Sequence, residues 1–132
     1  QFRRMSAAGE VVGRLIPVPD TLTYEDLLKN TAIATSTVIV DRDKVGPFRM
    51  PRTYYDDYAL WLQLLRPGHV ARGLPEDLMR YRVMNRSVSR NKFRSAAMVW
   101  EVYRNVERLS IPRSLWCFAN YATRGAFKYR VF

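Results

Sequence analysis

Hydrophobic residues recur at intervals of three and four in three parts of the chain, which is the spacing of one face of a helix. The clearest pattern runs from Asp56 to Arg66 and ends at Pro67-Gly68. A longer pattern covers Lys92 to Arg108. A last helix is predicted to begin at Ser110 and Pro112, run to about Thr123 and be closed by Gly125. The apolar faces of the first two helices hold Tyr58, Trp61, Leu62 and Leu65, and Phe93, Ala96, Ala97, Trp100, Tyr103 and Val106.

Extended segments alternate with the helices in the first part of the chain. Thr31 to Val40 is rich in Thr, Val and Ile, which pack well on a pleated surface, so it is predicted to be a strand. Thr23 precedes a short helix, and Asp26 stands where a capping box needs its acidic partner. The fold class is therefore mixed α/β, with short strands followed by C-terminal helices. The other predicted extended segments are Glu10 to Ile16, His69 to Arg72 and Leu78 to Val83, the last with Arg80 and Arg82 on one face.

Positive charge is concentrated in the second half. The 132 residues include 22 Lys and Arg against 12 Asp and Glu, a formal net charge of +10. Up to Arg66 there are 9 basic and 8 acidic residues, whereas the remainder has 13 and 4. Such an excess attracts phosphate-bearing partners: nucleic acid, an anionic membrane surface or a phosphorylated substrate. Cys117 is the only cysteine, which excludes an internal disulfide and a cysteine metal cluster.

Few residues are candidates for chemistry. His69 is the only histidine, and no glycine-rich phosphate loop is present. The Asp41-Arg42-Asp43 triplet has a spacing that can hold a divalent cation, although aspartates also favour turns at such places. Asp56 and Asp57 begin the clearest helix, where carboxylates are favoured by capping and by the helix dipole. Either of them could instead be a general base at the mouth of a cleft.

Five blocks, taken in order, resemble the C-terminal half of bacterial family-2 glycosyltransferases of the teichuronic-acid, capsule and lipopolysaccharide type. The resemblance covers nearly the whole chain, and the order of the blocks makes it more specific than any one of them. The blocks are Thr23-Tyr24-Glu25-Asp26-Leu27-Leu28-Lys29-Asn30, Thr35-Ser36-Thr37-Val38-Ile39-Val40-Asp41-Arg42, Asp56-Asp57-Tyr58-Ala59-Leu60-Trp61-Leu62, Tyr81-Arg82, and Ser87-Val88-Ser89 with Lys92.

The resemblance implies a GT-A fold and an inverting transfer of a sugar to an acceptor hydroxyl. In that family the second residue of an acidic pair is the base, which Asp57 matches, while Asp56 replaces the usual Glu. Residues 1–91 would form the acceptor side with the base, and residues 92–132 a helical extension. The nucleotide-binding half would be absent from this chain, so the piece alone is expected to be inactive. A divalent cation, Mg or Mn, would have its ligands mostly in that half, and we assign no metal ligand here.

The same resemblance places substrate-binding residues. Trp61 follows the acidic pair on the acceptor side, and the segment from Tyr81-Arg82 to Lys92 matches the part that lies over the donor. Many relatives carry a metal-binding His just after this Tyr-Arg pair, where the present chain has Met84 and Asn85. Guanidinium and ammonium groups are therefore expected near the donor diphosphate. The expected donor-side residues are Arg82, Ser87, Ser89, Arg90 and Lys92.

The implied partners are a nucleotide-sugar donor and a saccharide or lipid-linked saccharide acceptor, with no nucleic acid. The C-terminal part mixes aromatic and basic residues as a helix at an anionic lipid surface does, so the protein is expected in the cytoplasm, at the inner face of the plasma membrane. Packing on the fold or on a second copy of the chain is the alternative for this face. The alternative functions are a basic nucleic-acid-binding module and a membrane-docking module without catalysis. The residues concerned are Trp116, Phe118, Tyr121, Phe127, Tyr129 and Phe132, with Arg113, Arg124, Lys128 and Arg130.

Overall fold

The computed structural model describes residues 1–10, 12–84 and 92–129, the last range with side chains from 93 to 125. Strands and helices both occur, which confirms the mixed α/β class. The strands are β1 (Phe2–Met5), β2 (Val12–Ile16), β3 (Thr21–Leu22), β4 (Ala71–Arg72) and β5 (Met79–Arg82). The helices are α1 (Tyr24–Leu28), α2 (Arg42–Val45), α3 (Asp56–Leu65), α4 (Lys92–Glu101) and α5 (Ile111–Tyr129), with a 3-10 turn at Thr35–Thr37 and a π-helical turn at Val102–Val106.

The strands form two small sheets. The larger has the order β2-β1-β5, with β1 antiparallel to β2 and parallel to β5, and the smaller is the antiparallel pair of β3 and β4. The Asp77 carboxylate contacts Arg3 of β1 at 2.6 Å and Arg80 of β5 at 2.5 Å. One carboxylate therefore joins two neighbouring strands through charge-assisted hydrogen bonds. The predicted extended segments at Glu10 to Ile16, His69 to Arg72 and Leu78 to Val83 are confirmed in part, because they contain β2, β4 and β5 respectively.

Local signals set the two central helices. The Thr23 hydroxyl accepts the Asp26 backbone N–H, and the Asp26 carboxylate accepts the Thr23 N–H, so the predicted capping box of α1 is confirmed. Helix α3 occupies the predicted segment, and the chain leaves it through Gly68 at φ 103°, a left-handed conformation that favours glycine. Their buried faces share one hydrophobic core with α4, the π turn and α5. Its largest fully buried side chains are Leu27, Leu28, Leu60, Leu62, Val99, Val102, Tyr103 and Cys117.

The predicted strand over Thr31 to Val40 is wrong. This segment pairs with no described strand and contains the 3-10 turn, in which the Thr37 hydroxyl donates to the Ala34 carbonyl at 2.7 Å. Ile39 is 98% exposed, whereas Val38 and Val40 pack against the core without strand pairing. β-Propensity measures how well a side chain fits a sheet, and no strand of the described residues pairs with this segment.

Two details of the C-terminal helices differ from the predicted pattern. The segment from Lys92 changes from α- to π-helical hydrogen bonding at Val102, and Phe93 is 91% exposed and so lies off the buried face. Gly125 does not close the last helix, because α5 continues to Tyr129. Among the described residues, no helix is both long and apolar enough to cross a membrane.

Candidate functional site

The acidic pair lies in the first turn of α3, where the backbone N–H groups have no partners within the helix. Tyr55, at the N-cap, provides no side-chain hydrogen bond that caps the helix. Asp56 Oδ1 instead accepts the Asp57 N–H at 2.9 Å, and Asp57 Oδ1 accepts the Tyr58 N–H at 2.7 Å. Both carboxylates therefore stabilise the start of the helix, which is the capping role that their sequence position predicts.

Asp57 also makes a contact that capping does not require. Its second oxygen, Oδ2, accepts a hydrogen bond from the Thr35 hydroxyl at 2.6 Å. Trp61, one turn further along α3, has its indole Nε1 3.5 Å from the same Thr35 oxygen. The side chains of Asp57 and Trp61 thus both contact the Thr35 hydroxyl and join the 3-10 turn at Thr35–Thr37 to α3.

A small recess opens beside this contact. Its cavity volume of about 20 Å³ is room for about one water molecule, since one water needs roughly 10–15 Å³. Asp57 is half-buried at the recess, whereas Asp56 is exposed and does not line it. A carboxylate thus stands at an opening with aromatic walls. The lining residues are Leu27, Thr31, Ile33, Tyr55, Asp57, Tyr58 and Trp61.

Two tyrosine hydroxyls bind backbone carbonyls at the end of α1, where Leu27 forms part of the recess wall. Tyr58 donates to the Leu27 carbonyl at 3.0 Å, and Tyr103 of the π turn donates to the Leu28 carbonyl. Burial raises the pKa of both tyrosines above the ordinary value, so both remain neutral hydrogen-bond donors at any physiological pH. The end of α1 is therefore fixed against α3 and the π turn.

The structure brings Asp57 and Trp61 to one recess and leaves Asp56 at its outside. Arg82 lies on β5, where its guanidinium donates to the Ala7 carbonyl at 2.5 Å in the connection between β1 and β2, and it does not line the recess. The remaining donor-side predictions fall outside what is described: Ser87, Ser89 and Arg90 altogether, and the side chain of Lys92. These assignments stay predictions.

The Asp41-Arg42-Asp43 triplet has a structural role. Asp41 is the N-cap of α2, where its Oδ1 accepts the N–H groups of Asp43 and Lys44, and the Lys44 ammonium lies 3.4 Å from Oδ2. Across residues 1–10, 12–84 and 92–125, no three His, Cys, Asp or Glu side chains are grouped so that they could hold a metal ion. The described residues do not fit the divalent cation that the family resemblance implies, and we derive no step through it.

Sequence reasoning did not find Thr35 as part of the site. Thr35 and Asp57 are 22 positions apart, and a strand was predicted where the chain makes a turn. Tyr55 was missed as well, since it precedes the helical pattern. Its ring is tilted by 36° against that of Tyr58, at a centroid distance of 5.2 Å. The available signal was the Thr35-Ser36-Thr37 triplet itself, because three consecutive hydroxyl residues favour turns that bond locally.

The known proteins to which this chain is similar include three named bacterial glycosyltransferases. The chain is 43% identical to the teichuronic acid biosynthesis glycosyltransferase TuaG of Bacillus subtilis, over 98% of this chain and 52% of that protein. It is 32% identical to an Escherichia coli protein named UDP-Glc:alpha-D-GlcNAc-diphosphoundecaprenol beta-1,3-glucosyltransferase WfgD, and 34% identical to WfaP, which bears the same enzyme name. Each of these two matches covers 90% of this chain and 47% of the relative.

The chain thus spans about half the length of the curated relatives it matches. No protein-family profile and no solved structure matches it. These relatives are nevertheless glycosyltransferases, named for teichuronic acid biosynthesis or for glucose transfer to an N-acetylglucosamine carried on diphosphoundecaprenol. The resemblance to bacterial glycosyltransferases drawn from the motifs is confirmed: nearly the whole of this chain is similar to about half of each of these enzymes.

Proposed function

We propose that the chain provides the acceptor side and the catalytic base of an inverting glycosyltransferase of GT-A fold that acts in cell-surface polysaccharide synthesis. The observation that carries this proposal is the placement of Asp57, half-buried at a recess with aromatic walls and oriented by Thr35. In the proposed division, residues 1–91 form the acceptor side and residues 92–132 a helical extension. Nucleotide binding and any divalent cation belong to the part of the protein that this chain does not include.

The reaction follows from the carboxylate. Asp57 takes the proton of an acceptor hydroxyl while that oxygen attacks the anomeric carbon of the donor sugar. The bond from that carbon to the diphosphate breaks on the opposite side, so the configuration inverts. A carboxylate oxygen has two lone pairs. Thr35 donates to Asp57 Oδ2 and the Tyr58 N–H donates to Oδ1, so a lone pair can still accept the hydroxyl proton.

The relatives support a class of substrates. Two are named as glucosyltransferases that use UDP-glucose and an N-acetylglucosamine carried on diphosphoundecaprenol. We accordingly propose a nucleotide-sugar donor and a lipid-linked saccharide acceptor for this protein. Tyr55 provides aromatic surface at the opening of the recess for the acceptor sugar, and Trp61, the other proposed acceptor-side residue, supports this surface from the buried wall. Arg82, Ser87, Ser89, Arg90 and Lys92 remain the proposed donor-side residues.

Replacement of Asp57 by Asn tests the assignment of the base. In the full-length protein, assayed with UDP-glucose and N-acetylglucosaminyl-diphosphoundecaprenol, Asp57→Asn should lower kcat about 10²–10⁴-fold, because a positioned general base contributes that much. Donor binding, measured by calorimetry, should persist. Asp56→Asn is the matched control: it removes the neighbouring carboxylate, which lies outside the recess, and should retain most of the rate. Full activity of Asp57→Asn would overturn the assignment.

A second part of the proposal concerns membrane contact. Helix α5 exposes Ile111, Leu115 and Trp116, the last at 65%. From Leu109 to Phe132 the chain has four basic residues and no acidic residue. An exposed apolar face within a basic segment suits a helix that lies in the interface of an anionic bilayer. We therefore propose that the protein is cytoplasmic and docks at the inner face of the plasma membrane, near its lipid-linked acceptor.

Vesicle flotation tests this docking. The full-length protein should float with phosphatidylglycerol vesicles and not with phosphatidylcholine vesicles, and the Leu115→Ala and Trp116→Ala double variant should lose most of the bound fraction. Ile39→Ala is the matched control, because it removes an exposed apolar side chain from the 31–40 segment instead. Undiminished flotation of the double variant would contradict the proposal. If the double variant kept flotation and lost an oligomer in sedimentation, the face would belong to a homo-oligomer interface.

A further inference from the structure

The contact between Thr35 and Asp57 joins two elements that are distant in sequence. Asp57 is held from its own helix by the Tyr58 N–H on Oδ1, which fixes one carboxylate oxygen to the backbone. With that contact alone the carboxylate plane could still rotate, and a second contact on Oδ2 is needed to fix its orientation. The Thr35 hydroxyl makes that contact at 2.6 Å, a short distance typical of a hydroxyl bound to an ionised acceptor.

The hydroxyl group is itself oriented. A threonine hydroxyl has one proton to donate and lone pairs to accept. The Trp61 indole can only donate, and its Nε1 lies 3.5 Å from Thr35 Oγ1, so it favours the orientation in which Thr35 donates its proton to Asp57. Trp61 is largely buried on α3, and this donor therefore comes from a rigid part of the core.

The two threonines of the 3-10 turn differ in what they bind. The Thr37 hydroxyl donates to the Ala34 carbonyl at 2.7 Å, a local bond within the turn. The Thr35 hydroxyl leaves the turn and reaches α3, although its backbone carbonyl still takes part in the turn by accepting the Val38 N–H. The side chain of Thr35 is therefore not needed to form the turn.

We propose that Thr35 is a positioning residue for the catalytic carboxylate, directing the free lone pair of Asp57 Oδ2 toward the acceptor hydroxyl. This inference rests on the proposed function, in which Asp57 is the base. Catalytic groups must be held within about 0.5 Å of the productive geometry, and a displacement of 1 Å can cost about 100-fold in rate. Loss of the hydroxyl would leave the carboxylate in place and free to turn.

Three substitutions separate positioning from structure. Thr35→Val keeps the shape of the side chain and removes the hydroxyl, and it should lower kcat about 10- to 100-fold with KM for both substrates within about 2-fold. Thr35→Ser keeps the hydroxyl and should restore kcat to within about 3-fold of the unsubstituted protein. Thr37→Val makes the same change in the same turn without touching Asp57, and it should be close to the unsubstituted protein in both constants.

The measurements use the full-length protein with UDP-glucose and N-acetylglucosaminyl-diphosphoundecaprenol. The inference is overturned if Thr35→Val behaves like Thr37→Val, if Thr35→Ser is as slow as Thr35→Val, or if KM rises while kcat is unchanged. Asp57→Asn in the same series separates the two proposals. An active Asp57→Asn refutes the base itself, whereas an inactive Asp57→Asn with a fully active Thr35→Val refutes only the role of Thr35.

A crystal structure provides a readout that does not depend on the substrate. In Thr35→Val, the Asp57 carboxylate should turn about its Oδ1 contact with the Tyr58 N–H, while the backbone of α3 stays in place. In Thr37→Val the carboxylate should keep the orientation of the unsubstituted protein. An Asp57 side chain that is superimposable in all three proteins would show that the hydroxyl does not orient it.

Discussion

Glu107 and Arg66 form an ion pair whose two partners differ in exposure, and this difference predicts an unequal effect of removing each one. The Glu107 side chain is 0% exposed, whereas that of Arg66 is 51% exposed. Arg66 Nη2 donates to Glu107 Oε1 at 2.6 Å, and the Tyr24 hydroxyl donates to Oε2 at 2.5 Å. The pair joins the end of α3, the start of α1 and the residue that follows the π turn.

The expected loss in the free energy of unfolding depends on which charged or polar groups remain after each substitution. Arg66→Met leaves a buried carboxylate with one hydrogen bond, and removal of one partner of a buried pair costs about 3–5 kcal/mol. Because Arg66 is half-exposed and water can enter where its guanidinium lay, we expect about 2–3 kcal/mol. Glu107→Gln removes the buried charge, keeps an acceptor for Tyr24 and leaves an arginine that water can solvate. It should cost only about 1 kcal/mol, which is the net value of a typical hydrogen bond.

Urea unfolding of the full-length protein, followed by near-ultraviolet circular dichroism, measures both free energies. The double variant Arg66→Met with Glu107→Gln should be more stable than Arg66→Met alone, because the uncompensated charge is gone. The Lys44 and Asp41 pair is a control for a surface contact, since both side chains are more than half exposed, and Lys44→Met should change stability by less than about 0.5 kcal/mol. The reasoning fails if Glu107→Gln is as destabilising as Arg66→Met.

Three further changes test the fold around the site. The hydrogen bond from Arg3 holds the pKa of the Asp77 carboxyl below its ordinary value. Asp77 therefore stabilises the fold above about pH 4, and this contribution is lost as pH falls. In Asp77→Asn, the free energy of unfolding should depend less on pH below about pH 4. Thr23→Ala removes the α1 cap and should cost about 1 kcal/mol in urea unfolding, and a change near zero would contradict the capping role. Tyr103→Phe leaves the Leu28 carbonyl without the hydroxyl and should cost about 1–2 kcal/mol, with Tyr54→Phe, at an exposed ring, as the neutral comparison.

The helices could be predicted from the sequence because their signals are local. The capping box at Thr23 and Asp26 spans four residues, and the apolar spacing of α3 lies within three turns. The strand at Phe2–Met5 gave no such signal, since its partners are Val12–Ile16 and Met79–Arg82. The wrong strand at Thr31 to Val40 has the same physical cause, because strand propensity takes effect only where another strand is available to pair.

The site could be predicted in part for the same reason. Asp57 was predicted from the motif and from its place at the start of a helix, both of which are read along the chain, and the structure places it at the recess while its catalytic role stays a prediction. Thr35 could not be found in this way, because it reaches Asp57 across 22 positions and only after the chain has turned between them. A residue can orient another group only if the two are close in the folded protein, and the spacing of hydrophobic residues along the sequence contains no information about that distance.

The core also bears on the division proposed at residues 91 and 92. Tyr103, in the C-terminal part, donates to the Leu28 carbonyl, and the neighbouring Leu27 lines the recess beside Asp57. Val99 and Val102 belong to the same buried cluster as Leu27 and Leu62. Residues on both sides of the proposed boundary therefore share one core, and the boundary would divide proposed functions and not packing units. A truncation after residue 91 would remove the donor that fixes the end of α1, so it should disturb the recess even though no residue after 91 lines it.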